Sequence, residues 1–224
     1  MRTLLLLLAL AALLAGCAPA ERRPGTAPAG APPGFPAAYY RESAAQGKEV
    51  LRVDPAASLV AIVVRRTGSL ARLGHDHVVA SHDVGGFVSP AEGRADLYVP
   101  LASLAVDEPA LREGLDTQPT ASDIEGTRAN MLDKVLEADR FPFALVRIER
   151  AEEGVLGVAL TLHGATRTFK VPATLEAEDG ALTARGRLAF DQSAFGITPY
   201  SLLGGAIAVR DRVELRFRVV ARRN

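Results

Sequence analysis

The final twenty residues limit what this chain can become. Val213, Leu215, Phe217 and Val219 alternate with Arg212, Glu214, Arg216 and Arg218. Side chains two apart on a strand share a face, so this stretch has one apolar side and one wet side. Earlier segments repeat the pattern. Residues 59–64 read Leu-Val-Ala-Ile-Val-Val and end at Arg65, Arg66 and Gly68. Residues 143–148, 155–162, 168–175 and 181–190 follow in quick succession. Glu153-Gly154, His163-Gly164 and Asp179-Gly180 separate them with turn chemistry. Residues 95–106 alternate less cleanly and carry Pro100, which predicts an edge or a break.

One segment departs from period two. Ser122 and Glu125 stand three apart as a capping-box pair. Ile124, Met131, Leu132, Val135 and Leu136 then recur at roughly helical spacing, up to Pro142. One helix inside about eight short strands with hairpin connections favours a mainly β, antiparallel up-and-down barrel or sandwich over a parallel α/β fold.

The N-terminus carries a different signal. Arg2 precedes an uncharged apolar run over residues 4–14, and Leu14-Ala15-Gly16-Cys17 closes it. This predicts a secretory signal over residues 1–16 with a lipoprotein cleavage box. The run is shorter than the ~20 residues that cross a bilayer. Cys17 is the only cysteine, so its lipidation would leave none for a disulfide, a catalytic thiolate or a thiolate metal site. Ala18, where an Asp would favour retention at the inner membrane, points to the periplasmic face of the outer membrane. Residues 17–48 are read as the lipidated cysteine and a disordered tether, since six of the fourteen prolines fall between positions 18 and 37. Positions 39–48 suit the tether's end or a short helix, and the folded domain is placed at 49–224.

Charge adds exclusions. The chain has 26 basic and 26 acidic residues, and loss of residues 1–16 would remove one Arg and no acid. That balance gives no support for nucleic acid as a partner. No Gly-x-Ser-x-Gly elbow, phosphate loop or dinucleotide fingerprint is present. Ser81-His82-Asp83 spells a triad in a row, but neighbours on a strand face opposite ways. A non-enzyme is expected.

Four further pieces, in order, carry a family resemblance. Val53-Asp54-Pro55 leads into the first strand, and Met131-Leu132 precedes Phe141-Pro142-Phe143. Residues 160–167 read Leu-Thr-Leu-His-Gly-Ala-Thr-Arg, and Phe195-Gly196-Ile197 forms a turn. Over residues 51–220 the chain resembles the YceI-like family, periplasmic proteins with a lipocalin-like barrel that bind polyisoprenoid lipids. The resemblance implies a lipid ligand, a polyisoprenoid or quinone-like molecule, and no other cofactor. A homodimer stays open.

An eight-stranded barrel has an interior that can hold one small ligand. Its expected lining includes Val60, Ile62 and Val64, with Val158, Leu160 and Leu162 opposite. Leu188, Phe190, Leu215 and Phe217 complete it, and Phe195 closes one end. A polar headgroup would sit at the mouth, near His75, His77 or His163. His163-Gly164 also suits a tight hairpin whose histidine bonds the turn. The alternative reading is a periplasmic metal-binding or stress-related protein. It takes His75, Asp76, His77 and His82 as ligands, because two imidazoles and a carboxylate suit Zn or Cu.

Overall fold

The computed structural model describes residues 30–152 and 154–223. The expected signal peptide, Cys17 and the first part of the tether lie outside the described residues. Fourteen strands form: β1 Leu51–Val53, β2 Leu59–Val64, β3 Arg66–Thr67, β4 His77–Ser81, β5 Gly85–Ser89, β6 Arg94–Pro100, β7 Ala105–Val106, β8 Phe143–Glu152, β9 Val155–Leu162, β10 Ala165–Glu178, β11 Ala181–Asp191, β12 Ser201–Leu202, β13 Ile207–Val209 and β14 Arg212–Arg222. All pairings are antiparallel.

Pairing runs β1-β5-β6-β8-β9-β10-β11-β14 and returns from β14 to β1, so the sheet closes into an eight-stranded barrel. Three staves are broken. β14 pairs with β2 through Glu214–Arg218 and with β1 through Ala221 and Arg222, so β1 and β2 are one stave interrupted by Pro55–Ala57. Ser58 stitches that break, accepting from Val220 N–H at 3.0 Å and donating to Asp54 C=O at 2.7 Å. β4 and β5 form a second split stave. β6 and β7 form a third, broken after Pro100, as the proline predicts.

The walls explain the sequence pattern. β14 points Val213, Leu215, Phe217 and Val219 inward and leaves Arg212, Glu214 and Arg218 exposed. β2 is apolar on both faces because both are covered. Val60, Ile62 and Val64 face the interior, while Ala61 packs with Val78, Ala80, Leu111 and Leu115 outside. At β5 only glycine fits. A Cβ on Gly85 would fall 2.3 Å from the Tyr98 ring, and one on Gly86, at φ +141°, 2.3 Å from the Asp96 carbonyl.

The wall thins at one seam. β10 pairs with β11 only from Ala173 to Glu178; residues 165–172 pair with β9 instead. Phe195, 1% exposed, fills the gap, its ring 5.3 Å from Phe190 and 6.3 Å from Phe169.

Among the described residues two helices accompany the barrel, where the sequence pattern predicted one. α1, Ala37–Ala45, lies within the residues assigned to the tether, yet it packs on the outside of β5 and β6. Tyr40 is 1% exposed, stacks on Phe87 at 5.2 Å and donates its hydroxyl to Asp96 at 2.8 Å; Phe35 packs on Tyr98 at 5.0 Å. Packing on the barrel therefore reaches back to Phe35, inside the stretch expected to be tether, because two aromatic anchors suffice where no long apolar stripe exists. α2, Ala121–Asn130, continues as a π turn over Met131–Val135. Its capping box is Thr120 with Asp123, not Ser122 with Glu125. The Thr120 hydroxyl accepts from Asp123 N–H at 3.2 Å, and the Asp123 carboxylate accepts from Thr120 N–H at 2.8 Å.

Candidate functional site: a two-chambered barrel interior

The barrel encloses two cavities, of about 350 and 430 Å³. Ile62, Leu104, Leu136, Leu162 and Phe190 line both, so they are two chambers of one interior meeting at that level. Each has the size of an ordinary ligand pocket.

The lower chamber is a hydrocarbon lining. Val60, Val84, Leu97, Val146, Val158, Leu160, Leu188, Leu215, Phe217 and Val219 face it, and Ser81, Ser89 and Arg94 are its polar contributors. The upper chamber mixes the two kinds of surface. Val64, Val79, Met131, Ile197 and Val213 line it together with His75, His77, Asp123, Thr127, Asn130, Gln192 and Tyr200. Its roof is made by α2 and by the small sheet β12-β13-β3.

The residues expected to face a ligand are placed as follows. Ile62, Leu162 and Phe190 line both chambers; Leu160, Leu215 and Phe217 line the lower one; Val64, His75 and His77 line the upper one. Phe195 sits in the β10–β11 seam instead of at an end. His163 lines neither chamber. At φ +51°, ahead of Gly164 at +76°, it forms the β9–β10 turn, with Nε2 3.1 Å from Glu137 and its ring 4.5 Å from Phe141.

The histidine segment fans out. Asp76 turns away from its neighbours and accepts from Arg65 at 3.0 Å and from Arg66 N–H at 2.9 Å. His82 reaches Glu108 at 3.0 Å. Among the described residues, no three His, Cys, Asp or Glu side chains are grouped to hold a metal ion. His75, Asp76, His77 and His82 alternate faces and cross a strand break, so the set is not brought together.

His77 has a partner the sequence did not disclose. Its Nδ1 lies 2.5 Å from Asp107 Oδ2, and that buried carboxylate also accepts from Val78 N–H at 2.9 Å and from Arg112. Burial pushes the Asp107 carboxyl up, but His77, the Val78 amide and Arg112 outweigh it and hold it below the ordinary carboxylate range. An ionised Asp107 can only accept, so Nδ1 donates to it and Nε2 faces the upper chamber. Nε2 lies 3.4 Å from the Thr127 hydroxyl. The same chamber is lined by Asn130, Gln192 and Tyr200, groups that can serve a carbonyl or hydroxyl. Asp107 stands thirty residues from His77, with no shared motif to announce the pair.

Comparison with known proteins follows this geometry. The family model for the YceI-like domain matches residues 51–221. No curated protein matches. Two solved structures share the fold. A polyisoprenoid binding domain from Saccharophagus degradans, implicated in plant cell wall breakdown, aligns at TM-score 0.57 and 14% identity, covering 78% of this chain and 98% of that one. BcnA of Burkholderia cenocepacia aligns at TM-score 0.52 and 21% identity, covering 75% and 98%.

Proposed function

The chain belongs to the YceI-like family, and from that premise we propose that it is a non-catalytic carrier or store of one apolar lipid, of isoprenoid type, held along the barrel axis. The observation that carries this reading is the pairing of a nearly all-apolar lower chamber with a polar-lined upper one. An isoprenoid tail suits the first, with Ile62, Leu160, Leu162, Phe190, Leu215 and Phe217 against it. A quinone-like or alcohol headgroup suits the second, beside His75 and His77. Burial of ~400 Å² of tail would contribute on the order of 10 kcal/mol before ordering costs. Support for an isoprenoid comes also from the Saccharophagus domain, described as polyisoprenoid binding.

The same proposal places the protein on the periplasmic face of the outer membrane, anchored through acyl groups on Cys17. The support is the Leu14-Ala15-Gly16-Cys17 box and Ala18. Cys17→Ser is expected to shift the protein from the membrane to the soluble or unprocessed fraction, and unchanged fractionation contradicts the anchor.

Titration with a fluorescent polyprenol in detergent tests the binding reading. The protein should saturate at one equivalent, and Leu160→Glu should abolish uptake with the β-sheet circular dichroism retained. Absence of saturable uptake contradicts the reading.

A further inference from the structure

The upper mouth carries an apolar rim that folding does not require. Four large apolar side chains are strongly exposed among the described residues, and three stand here: Leu73 at 61%, Leu202 at 48% and Leu203 at 73%. They come from two adjoining segments. Leu73 ends a short turn, Ala71–Leu73, and Leu202 and Leu203 lie at the β12–β13 tip. Leu70 N–H donates to Ala206 C=O at 2.8 Å, and Gly68 lies so close that a Cβ there would fall 2.4 Å from the same oxygen. Leu73 and Leu202 also line the upper chamber.

Leu203 is held at φ +51°, ahead of Gly204 at +63° and Gly205 at +92°. A branched residue there carries on the order of 1–2 kcal/mol of backbone strain. A strained, solvent-facing leucine next to two glycines serves neither packing nor turn chemistry. The flanking charge is basic. Arg72 and Arg210 are exposed and make no ion pair among the described residues, while Arg65 and Arg66 behind them are matched by Asp76 and Asp116.

We infer that this rim docks on the surface of a bilayer containing anionic phospholipid, with Leu203 in the boundary between headgroups and acyl chains and Arg72 and Arg210 among the headgroups. Apolar tips flanked by two arginines that make no ion pair among the described residues match that surface in both layers. Docking would set the upper chamber against the membrane, so that an apolar chain passes between them without crossing water. That purpose rests on the lipid-binding reading; the docking itself does not.

The chain has no tryptophan, so one introduced residue is a clean reporter. The full chain with Cys17→Ser and Leu203→Trp is mixed with vesicles of phosphatidylethanolamine and phosphatidylglycerol. Trp emission at 203 should shift to the blue and be quenched by brominated acyl chains. A reporter at Glu178→Trp, on the β10–β11 hairpin at the opposite end, should do neither. The shift should be lost on pure phosphatidylcholine and in an Arg72→Glu, Arg210→Glu background. In the Cys17→Ser chain without a reporter, Leu203→Asp should slow polyprenol uptake from vesicles several-fold and leave uptake from detergent unchanged.

An unshifted reporter at 203, a shifted reporter at 178, or wild-type vesicle uptake by Leu203→Asp overturns the inference. So does a shift at 203 that needs no vesicles and disappears on dilution, which would make the rim a contact between copies. If no variant takes up polyprenol even from detergent, the lipid-binding reading fails, and the reporter at 203 still decides docking.

Discussion

Asp107 holds His77 in place: the 2.5 Å contact from Nδ1 to Oδ2 joins β4 to the segment just past β7 and turns the far imidazole nitrogen toward the upper chamber. The carboxylate is buried and is shared with Arg112 and the Val78 amide. One side chain therefore secures the wall of the barrel and the orientation of a group that faces the ligand space.

Asp107→Ala should leave His77, Arg112 and Val78 N–H short of a partner at once. Breaking a buried pair in this way costs about 3–5 kcal/mol, which at ~2–4 °C per kcal/mol lowers the melting temperature by roughly 10 °C. Asp107→Asn should lose less, because Asn tolerates the φ of +58° and keeps an acceptor for His77. Thermal melts of the two variants check the ranking; equal losses contradict it.

Acid should weaken the protein through a second carboxylate. Burial raises the Asp96 carboxyl, but bonds from Arg147, Tyr40 and Arg94 outweigh this and leave it below its ordinary value. A depressed folded value means the contribution is complete above the unfolded pKa of ~3.9 and fades as pH falls through the lower folded value. Melting temperature should decline below about pH 4, and Asp96→Asn should make that decline shallower. An unchanged slope in the variant contradicts the assignment.

Removal of the residues before Lys48 should destabilise the domain. It would strip Tyr40 and Phe35 from Phe87 and Tyr98 and leave Asp96 without one donor. Loss of that aromatic burial and a buried hydrogen bond should lower the melting temperature by more than ~5 °C. Melting within a degree of the full chain would show that α1 adds nothing.

Much of this was legible beforehand. Period-two segments marked most strands, and the residues named on 60–64, 158–162, 188–190 and 215–217 all line the interior, since alternation reports which face is covered. The sequence leaves α1 open between a tether's end and a short helix, because its anchors are single aromatics in a Pro- and Ala-rich stretch without a stripe. The split staves escaped notice because a three-residue turn such as Pro55–Ala57 leaves alternation intact on both sides. The His77–Asp107 pair was hidden by distance along the chain, and so were Thr127, Asn130, Gln192 and Tyr200, which share only the upper chamber. Phe195 is expected at one end of the cavity and stands in the β10–β11 seam, which depends on strand pairings that composition does not encode.

Leu160→Ala separates a lipid-filled interior from a packed one. Leu160 already borders open space on its inner side, so truncation should cost at most ~2 kcal/mol, the low end for a buried leucine. Retention of bound polyprenol should fall more clearly. A loss near 5 kcal/mol with unchanged retention would mark Leu160 as ordinary core.

Native mass spectrometry of the protein purified from the cells that make it, without added lipid, tests the central claim most directly. One extra mass per chain, released on denaturation and identified in the organic extract as an isoprenoid lipid, is the predicted result. A chain that carries no releasable lipid, and takes none up on incubation with polyprenols and quinones, would contradict the account.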